Sequence, residues 1–202
     1  SICRCADDVI CISNSVAESI RQWATQRGIS VRPTLHAVHL GANLPDSGHS
    51  HEEAALQHPV LANPFVLSVG TIEPRKGHDQ ALAAFELLWS RGSVLNYVIV
   101  GQEGWKQVAA EHRAYIATLC DRLNSHPELG KRLWWFKQAD DTLLTFLYKH
   151  TAGVLVPSRQ EGYGLPLIEA AHHKAPLLVR DIPVFREVAG KHASYFEASS
   201  ST

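Results

Sequence analysis

The chain has 202 residues, of which 45% are hydrophobic and 19% charged, the make-up of an ordinary globular protein with room for one generous domain or one domain and part of another. Its formal net charge of −1 gives bulk electrostatics no preference for nucleic acid or for an anionic membrane surface. No apolar run approaches the ~20 residues that span a bilayer, and no signal-peptide pattern opens the chain.

The opening SICRCADDVICIS holds Cys3, Cys5 and Cys11, with Cys120 far downstream. No CxxC pair and no neighbouring His at zinc-ligand spacing accompanies them, so they read as reduced, buried thiols rather than a metal site. Methionine is absent throughout. A chain that starts on Ser1 and stops after YFEASSST therefore reads as a piece of a longer protein.

In chain order, DVICIS (8–13) predicts a strand running into a Ser-Asn helix cap. Residues 15–28 predict a helix with Val16, Ile20, Trp23 and Ala24 on one face and Gly28 as its C-terminal stop. TLHAVHLG (34–41) reads as a second strand. Residues 42–63 are polar, carry Pro and Gly and lack a sustained period, which makes them the candidate linker. PFVLSVG (64–70) is apolar without alternation, the pattern of a strand covered on both faces.

Helix 78–92, strand 96–101, a long helix over about 104–124 (Trp105, Val108, Ile116, Leu119 and Leu123 inward) and strand 132–136 follow. Helix 140–150, strand 152–158, a helix after EGYGLP, strand 176–179, helix 182–190 and strand 194–196 complete the series. Strand and helix alternate throughout 64–196, so the expected fold class is α/β, a doubly wound parallel sheet with helices on both faces.

Ligands of such sheets sit beyond the carboxyl ends of the strands, where this chain has SVGTIEPRKG, IVGQEGW and VPSRQEGYGLP. None matches G-x-G-x-x-G, which disfavours a nicotinamide dinucleotide. In the third turn Gly162 and Gly164 are free to take positive φ, and Pro166 fits the first turn of the next helix. Loop amides and helix N-terminus together form a concave site for a phosphate or diphosphate. Glu161 enters this loop and Glu169 lies one turn inside the helix. A carboxylate cannot ligate phosphate, but it accepts hydrogen bonds from vicinal sugar hydroxyls. Its ordinary alternative is to complement the helix dipole.

Arg75 and Lys76 occupy the loop after strand 64–70. Alone they would read as solvated cations. The shared sheet edge instead puts them opposite the 161–166 loop, so that a diphosphate would meet two cations on one side and amides on the other. In RLWWFKQADD, Trp134 and Phe136 are expected on one face of the sheet and Trp135 on the other, all as core, with the segment after Phe136 a candidate wall for a flat ring. The histidines form no pair suited to a shared metal, and no Ser stands in a G-x-S-x-G elbow.

These stretches resemble family 4 of the retaining glycosyltransferases, which have the two-domain GT-B architecture. The resemblance rests on ADDVICISNSVAESI, FVLSVGTIEPRKGHDQALAAFELL, NYVIVGQEGW and GVLVPSRQEGYGLPLIEAAHHKAPLLVRDIPVFREVAG, in that order over most of the chain. The pairing of Glu161 and Glu169 within EGYGLPLIE, joined to the upstream PRKG, is its most specific element. The GTIEPRKG form looks most like bacterial mannosyltransferases of cell-surface polysaccharide assembly.

The resemblance implies a tripartite organisation: 1–41 as the remnant of an N-terminal acceptor domain, 42–63 as the interdomain linker and 64–202 as a Rossmann-like donor-binding domain. A C-terminal helix that normally packs back across the N-terminal domain is expected outside the chain. By position, Arg75 and Lys76 would bind a donor diphosphate, and Gly162, Tyr163, Gly164 and Leu165 would offer backbone amides to phosphate and sugar. Glu169 would hold the ribose, while Glu161 would contact the transferred sugar and help to stabilise developing charge. The implied donor is a GDP- or UDP-linked sugar, with no metal or other cofactor. The acceptor would be a glycan or a lipid-linked glycan, bound through the N-terminal domain. The implied setting is cytoplasmic, at the inner face of the membrane, with peripheral membrane association.

Two departures from the family pattern are visible: Thr71 stands where many members carry an arginine, and FKQADDTLL replaces the usual segment after the third strand of the domain. Two other readings remain at this point. One is a non-catalytic sugar-nucleotide-binding module, and the other is a GT-B epimerase or phosphorylase.

Overall fold

The computed structural model describes residues 2–41, 58–104 and 109–197. Two parallel sheets make up the chain. The smaller pairs β1 (Asp8–Cys11) with β2 (Thr34–Ala37), preceded by the short α1 (Ile2–Cys5) and joined through α2 (Asn14–Gln26). The larger contains β3 (Phe65–Val69), β4 (Asn96–Val100), β5 (Leu133–Phe136), β6 (Gly153–Val156), β7 (Leu177–Arg180) and β8 (Ser194–Phe196). Its strand order is β5-β4-β3-β6-β7-β8, every neighbouring pair parallel. The connecting helices are α3 (His78–Ser90), α4 (Ala110–Asn124), α5 (Asp141–His150), α6 (Leu165–His172) and α7 (Pro183–Ala189). This is the doubly wound arrangement that the alternation predicts.

Because side chains alternate along a strand, a strand covered on both faces is apolar at most positions, and its polar residues need partners, as Asn96 and Ser68 have in the carbonyls of Val60 and Leu155. All five residues of β4 are buried, with Val98 and Val100 on one face and Tyr97 and Ile99 on the other. The first face packs under α5, α6 and α7 through Phe146, Leu147, Leu167 and Phe185. The second packs under α3 and α4 through Leu82, Phe85, Leu119 and Leu123. Each such fully buried side chain contributes about 1.5–3 kcal/mol relative to exposure. Trp134 and Phe136 do share the first face and Trp135 takes the second, but all three are only partly buried. They lie on the edge strand β5, where cover is incomplete.

Several boundaries differ from expectation. Helix α4 begins at Ala110 rather than near 104, and Trp105 and Val108 lie outside the described residues. Residues 42–57 of the candidate linker lie outside them too, while Pro59–Ala62 form a 3-10 turn whose Val60 is buried in the same core as Phe65. Strand β2 ends at Ala37, four residues early, and is largely exposed. Trp23 is exposed rather than inward, with the Arg27 guanidinium 4.7 Å over its ring; Ala24 is buried as expected, and Ala17 is buried beside it in α2. All four cysteines are free and three are buried, but Cys5 is exposed, contrary to the uniform burial expected. Among the described residues no helix is long and apolar enough to cross a membrane.

The small sheet is docked on the large one by polar contacts at the start of α2. Ser13 caps this helix by accepting from the Val16 N–H (3.1 Å) and donates its own hydroxyl to the Gly162 carbonyl (2.7 Å). The next two N–H groups, of Asn14 and Ser15, donate to the two carboxylate oxygens of Glu187 on α7, at 2.7 and 2.9 Å. The Ser15 hydroxyl and the His39 ring bind the same carboxylate. A carboxylate at a helix N-terminus also satisfies the dipole. Burial opposes ionisation of Glu187, but these bonds from His39, Asn14 and Ser15 outweigh it and hold the group at about 2.

This depression fixes a sign. The folded carboxyl titrates below its ordinary value of 4.5, so its stabilisation is complete above that value and is lost as pH falls through about 2. Glu187→Ala is expected to weaken docking of α2 by about 1.5–3 kcal/mol, the range for charge-assisted bonds. Amide exchange is the measurement: residues 14–26 should exchange faster in the variant while β4 is unchanged. In the native protein the same amides should lose protection between pH 4.5 and 2, a dependence the variant lacks.

Candidate functional site

The strand order reverses between β3 and β6: the chain leaves β3 for β4 and β5, then returns through α5 to the other side of β3. At such a switch point the loops leaving two adjacent strands turn away from each other and open a crevice at the strand ends. The loop after β3 carries Arg75 and Lys76, and the loop after β6 carries Glu161. The sequence places the two at one edge; the structure puts them in contact.

The β3 loop is shaped by glycines and by one buried imidazole. Gly70 has φ 152°, and its N–H donates to the Val100 carbonyl. A β-carbon on neighbouring Gly101 would lie 2.1 Å from the Gly70 oxygen, so only glycine fits there. His78, the first residue of α3, is buried with its Nε2 3.2 Å from the same oxygen. Burial pushes the His78 imidazole down to about 4, against the pull of the Gly70 carbonyl, and Lys76 nearby adds to the depression. At neutral pH the ring is therefore an uncharged donor that pins one peptide.

Residues Pro74–Lys76 form a 3-10 turn ended by Gly77 at φ 71°. Arg159 then ties the two loops together. Its N–H donates to the Arg75 carbonyl (2.7 Å), its Nη1 to the Pro74 carbonyl, and its Nη2 to both oxygens of Asp79 at 2.8 and 3.0 Å. Burial works against ionisation of Asp79, yet the bonded Arg159 holds its carboxyl below the usual range.

Glu161 lies at the centre. It accepts from Lys76 Nζ at 2.5 Å, from Arg75 Nη1 at 3.0 Å and from the Ser158 hydroxyl at 3.1 Å. Its side chain is 9% exposed and that of Lys76 13%, whereas Arg75 is 42% exposed. The two cations expected to face a diphosphate are thus held by the carboxylate expected to face the sugar. Next to them the loop from Gly162 to Leu165 runs into α6. Among the described residues no protein acceptor takes the N–H groups of Gly162, Tyr163, Gly164 or Leu165.

Gly164 adopts φ 98° as the residue before the helix, and a β-carbon there would meet the Phe185 ring at 2.8 Å. The positive φ expected of Gly162 is not found. A β-carbon there would lie 3.0 Å from the Cδ1 of Ile12 of the docked unit, a tight contact with the end of a side chain. The Tyr163 side chain turns away from the crevice, and its hydroxyl donates to the Leu40 carbonyl at 2.7 Å. Only its amide remains for a ligand.

Glu169 does not join the Glu161 cluster. It sits one turn inside α6 and accepts a hydrogen bond from the Tyr148 hydroxyl of α5. The sequence reading missed Tyr148, Arg159 and Glu187, each of which acts through a contact distant in sequence, and His78, whose partner Gly70 is eight residues away but whose burial depends on the fold. Two recesses are lined by residues of the cluster: one of about 890 Å³ between Ser15 and Glu18 of α2, Gln160–Gly162 and Ile182, and one of about 420 Å³ against Pro74, Arg75, His112 and Arg159. Another, of about 610 Å³, lies at the ends of β3, β4 and β5 against Gly70, Gly101 and Lys137–Asp140, the segment expected to wall a flat ring. Among the described residues no cluster of His, Cys, Asp and Glu is arranged to hold a metal ion.

Comparison with known proteins places the chain in a family. The profile of the family described as "Glycosyl transferases group 1" matches residues 57–200. The serotype-specific mannosyltransferase WbdA of Escherichia coli is 42% identical over 96% of this chain, which spans 24% of that protein's length. Among solved structures, the sucrose-phosphate synthase of Thermosynechococcus elongatus is 25% identical with a TM-score of 0.71, over 97% of this chain and 46% of its own. The Anabaena protein HepE in complex with UDP-glucose superposes with a TM-score of 0.73 at 18% identity, over 98% of this chain and 52% of its own, a likeness of fold. The chain belongs to the group 1 glycosyl transferases and has their GT-B kind of α/β fold.

Proposed function

We propose that this chain is the donor-binding part of a retaining glycosyltransferase that moves a sugar, mannose in the first instance, from a GDP- or UDP-linked donor to a glycan or lipid-linked acceptor. The observation that carries the reading is the convergence of Lys76, Arg75, Glu161 and the unengaged amides of Gly162 to Leu165 at the switch point of the sheet. The similarity to a mannosyltransferase over nearly the whole chain supports the sugar. Residues 1–41 serve as the end of an acceptor domain, 42–63 as the crossing and 64–202 as the donor domain.

In this reading the diphosphate takes over the cations. Lys76 and Arg75 bind its oxygens from one side and the loop amides from the other, with α6 adding the positive end of its dipole. Glu161, displaced from the cations, turns to the hydroxyls of the sugar. The ribose lies against Glu169 and the base in the recess at the ends of β3–β5. Transfer breaks the bond from the anomeric carbon to the terminal phosphate oxygen and forms one from the same face to the acceptor oxygen, whose proton passes to the departing phosphate. The growing negative charge on that phosphate is stabilised by fixed cations and amides, so the reaction needs no metal or other cofactor here. Following the family resemblance, the enzyme works in the cytoplasm at the inner face of the membrane, with peripheral association.

Titration calorimetry with GDP and UDP tests the donor side. Lys76→Ala is expected to weaken binding by about 1.5–3 kcal/mol, and unchanged affinity with an intact fold would sink the assignment. Glu161→Gln separates the two roles of the carboxylate. Because it removes the anion that competes for the cations, the free nucleoside diphosphate should bind no more weakly than before. Sugar transfer by the longest natural form of the protein should nevertheless fall at least a hundredfold, about 2.7 kcal/mol of transition-state stabilisation. Donor binding with no transfer to any glycan or lipid-linked acceptor would favour the non-catalytic module instead.

A further inference from the structure

Tyr148 is 1% exposed, on the face of α5 that packs into the core beside Leu167 and Ala170 of α6. Its ring stacks on that of His173, with centroids 5.5 Å apart and planes at 15°. Phenylalanine would fill the same space. The hydroxyl is the part that packing does not explain, and it donates to Glu169 Oε2 at 2.5 Å. Burial, and after it the adjacent carboxylate, push the phenol well above its ordinary range, so it stays a proton donor at any pH at which the protein works.

A glutamate on a helix surface has three rotatable bonds, and a ligand that needs it in one place must freeze them. Here one oxygen is already fixed by a group that cannot move, because the tyrosine ring is locked in the core. Among the described residues Oε1 accepts no hydrogen bond, and Oε2 retains a second lone pair. Both oxygens can therefore accept from two hydroxyls of a neighbouring diol while Tyr148 holds the carboxylate still.

We infer that Tyr148 is a positioning residue that sets Glu169 for recognition of the donor's ribose hydroxyls. This rests on the reading of Glu169 proposed above. The tyrosine touches no substrate in it; it lowers the entropy that Glu169 would lose on binding and orients the carboxylate toward the sugar.

The experiment compares affinities for GDP and 2′-deoxy-GDP, and for UDP and 2′-deoxy-UDP, in four proteins: wild type, Tyr148→Phe, Glu169→Ala and the double variant. In Tyr148→Phe the preference for the ribonucleotide should shrink about tenfold, the size of one hydrogen bond of about 1.4 kcal/mol, while thermal stability shows the fold intact. Glu169→Ala should remove the preference, and adding Tyr148→Phe to it should change nothing further. A Tyr148→Phe protein that weakens ribo- and deoxyribonucleotide equally, or keeps the full preference while Glu169→Ala loses it, overturns the positioning role and leaves the ribose contact standing. If Glu169→Ala itself keeps the preference, the ribose reading fails and the role of Tyr148 falls with it.

Discussion

At Gly77 a β-carbon would lie 2.3 Å from the carbonyl oxygen of Pro157, a distance that no side chain tolerates. Two loops from neighbouring parallel strands therefore meet backbone to backbone, and the left-handed φ of 71° at Gly77 is the geometry that lets them. From this approach the rest of the edge follows. The Pro157 oxygen is held from behind by the buried Arg180, whose Nε donates to it at 2.9 Å, and Arg180 reaches Gln80 of α3 in turn. Arg159 then bonds across to the carbonyls of Pro74 and Arg75, which brings Glu161 within reach of both cations.

The ion cluster at Glu161 is a source of order more than of stability. A carboxylate taken out of water costs several kcal/mol unless it is compensated, and two cations with a hydroxyl compensate it. Pairing with Glu161 holds Lys76 and Arg75 close together without the self-repulsion that two adjacent bare cations would create. Under the donor-binding reading proposed above, an incoming anion would exchange one internal bond for one external bond.

How much of this was legible in the sequence depends on the range over which each feature is specified. The sheets and their helices follow from local rules: apolar runs such as YVIV, glycines after helices and the Ser13 cap. The meeting of the PRKG and EGYGLP loops follows from strand alternation combined with the rule on strand ends. Burial on edge elements did not follow, because what covers Trp135 or leaves Trp23 open is decided by elements distant in the chain. For the same reason Tyr148 and Glu187 carried no signal. A tyrosine in TFLYKH looks like any helical core residue, and only the fold reveals that its hydroxyl meets Glu169. Gly162 was singled out for a positive φ that it does not take, and the tight spot beside it is set by Ile12 of the docked unit.

The bonds that dock that smaller sheet have a mechanical side. Ser13 is attached at once to the first turn of α2, through the Val16 amide, and to the Gly162 carbonyl. Glu187 fastens the same turn to α7, and Tyr163 is hooked to Leu40 after β2. The loop that precedes α6 is thus strapped to the small sheet at Gly162 and Tyr163, while Arg75 and Gly77 are strapped through Arg159 and Pro157 to the larger sheet. The two sides of the crevice are moored to different bodies of the fold, with Glu161 as the bond between them.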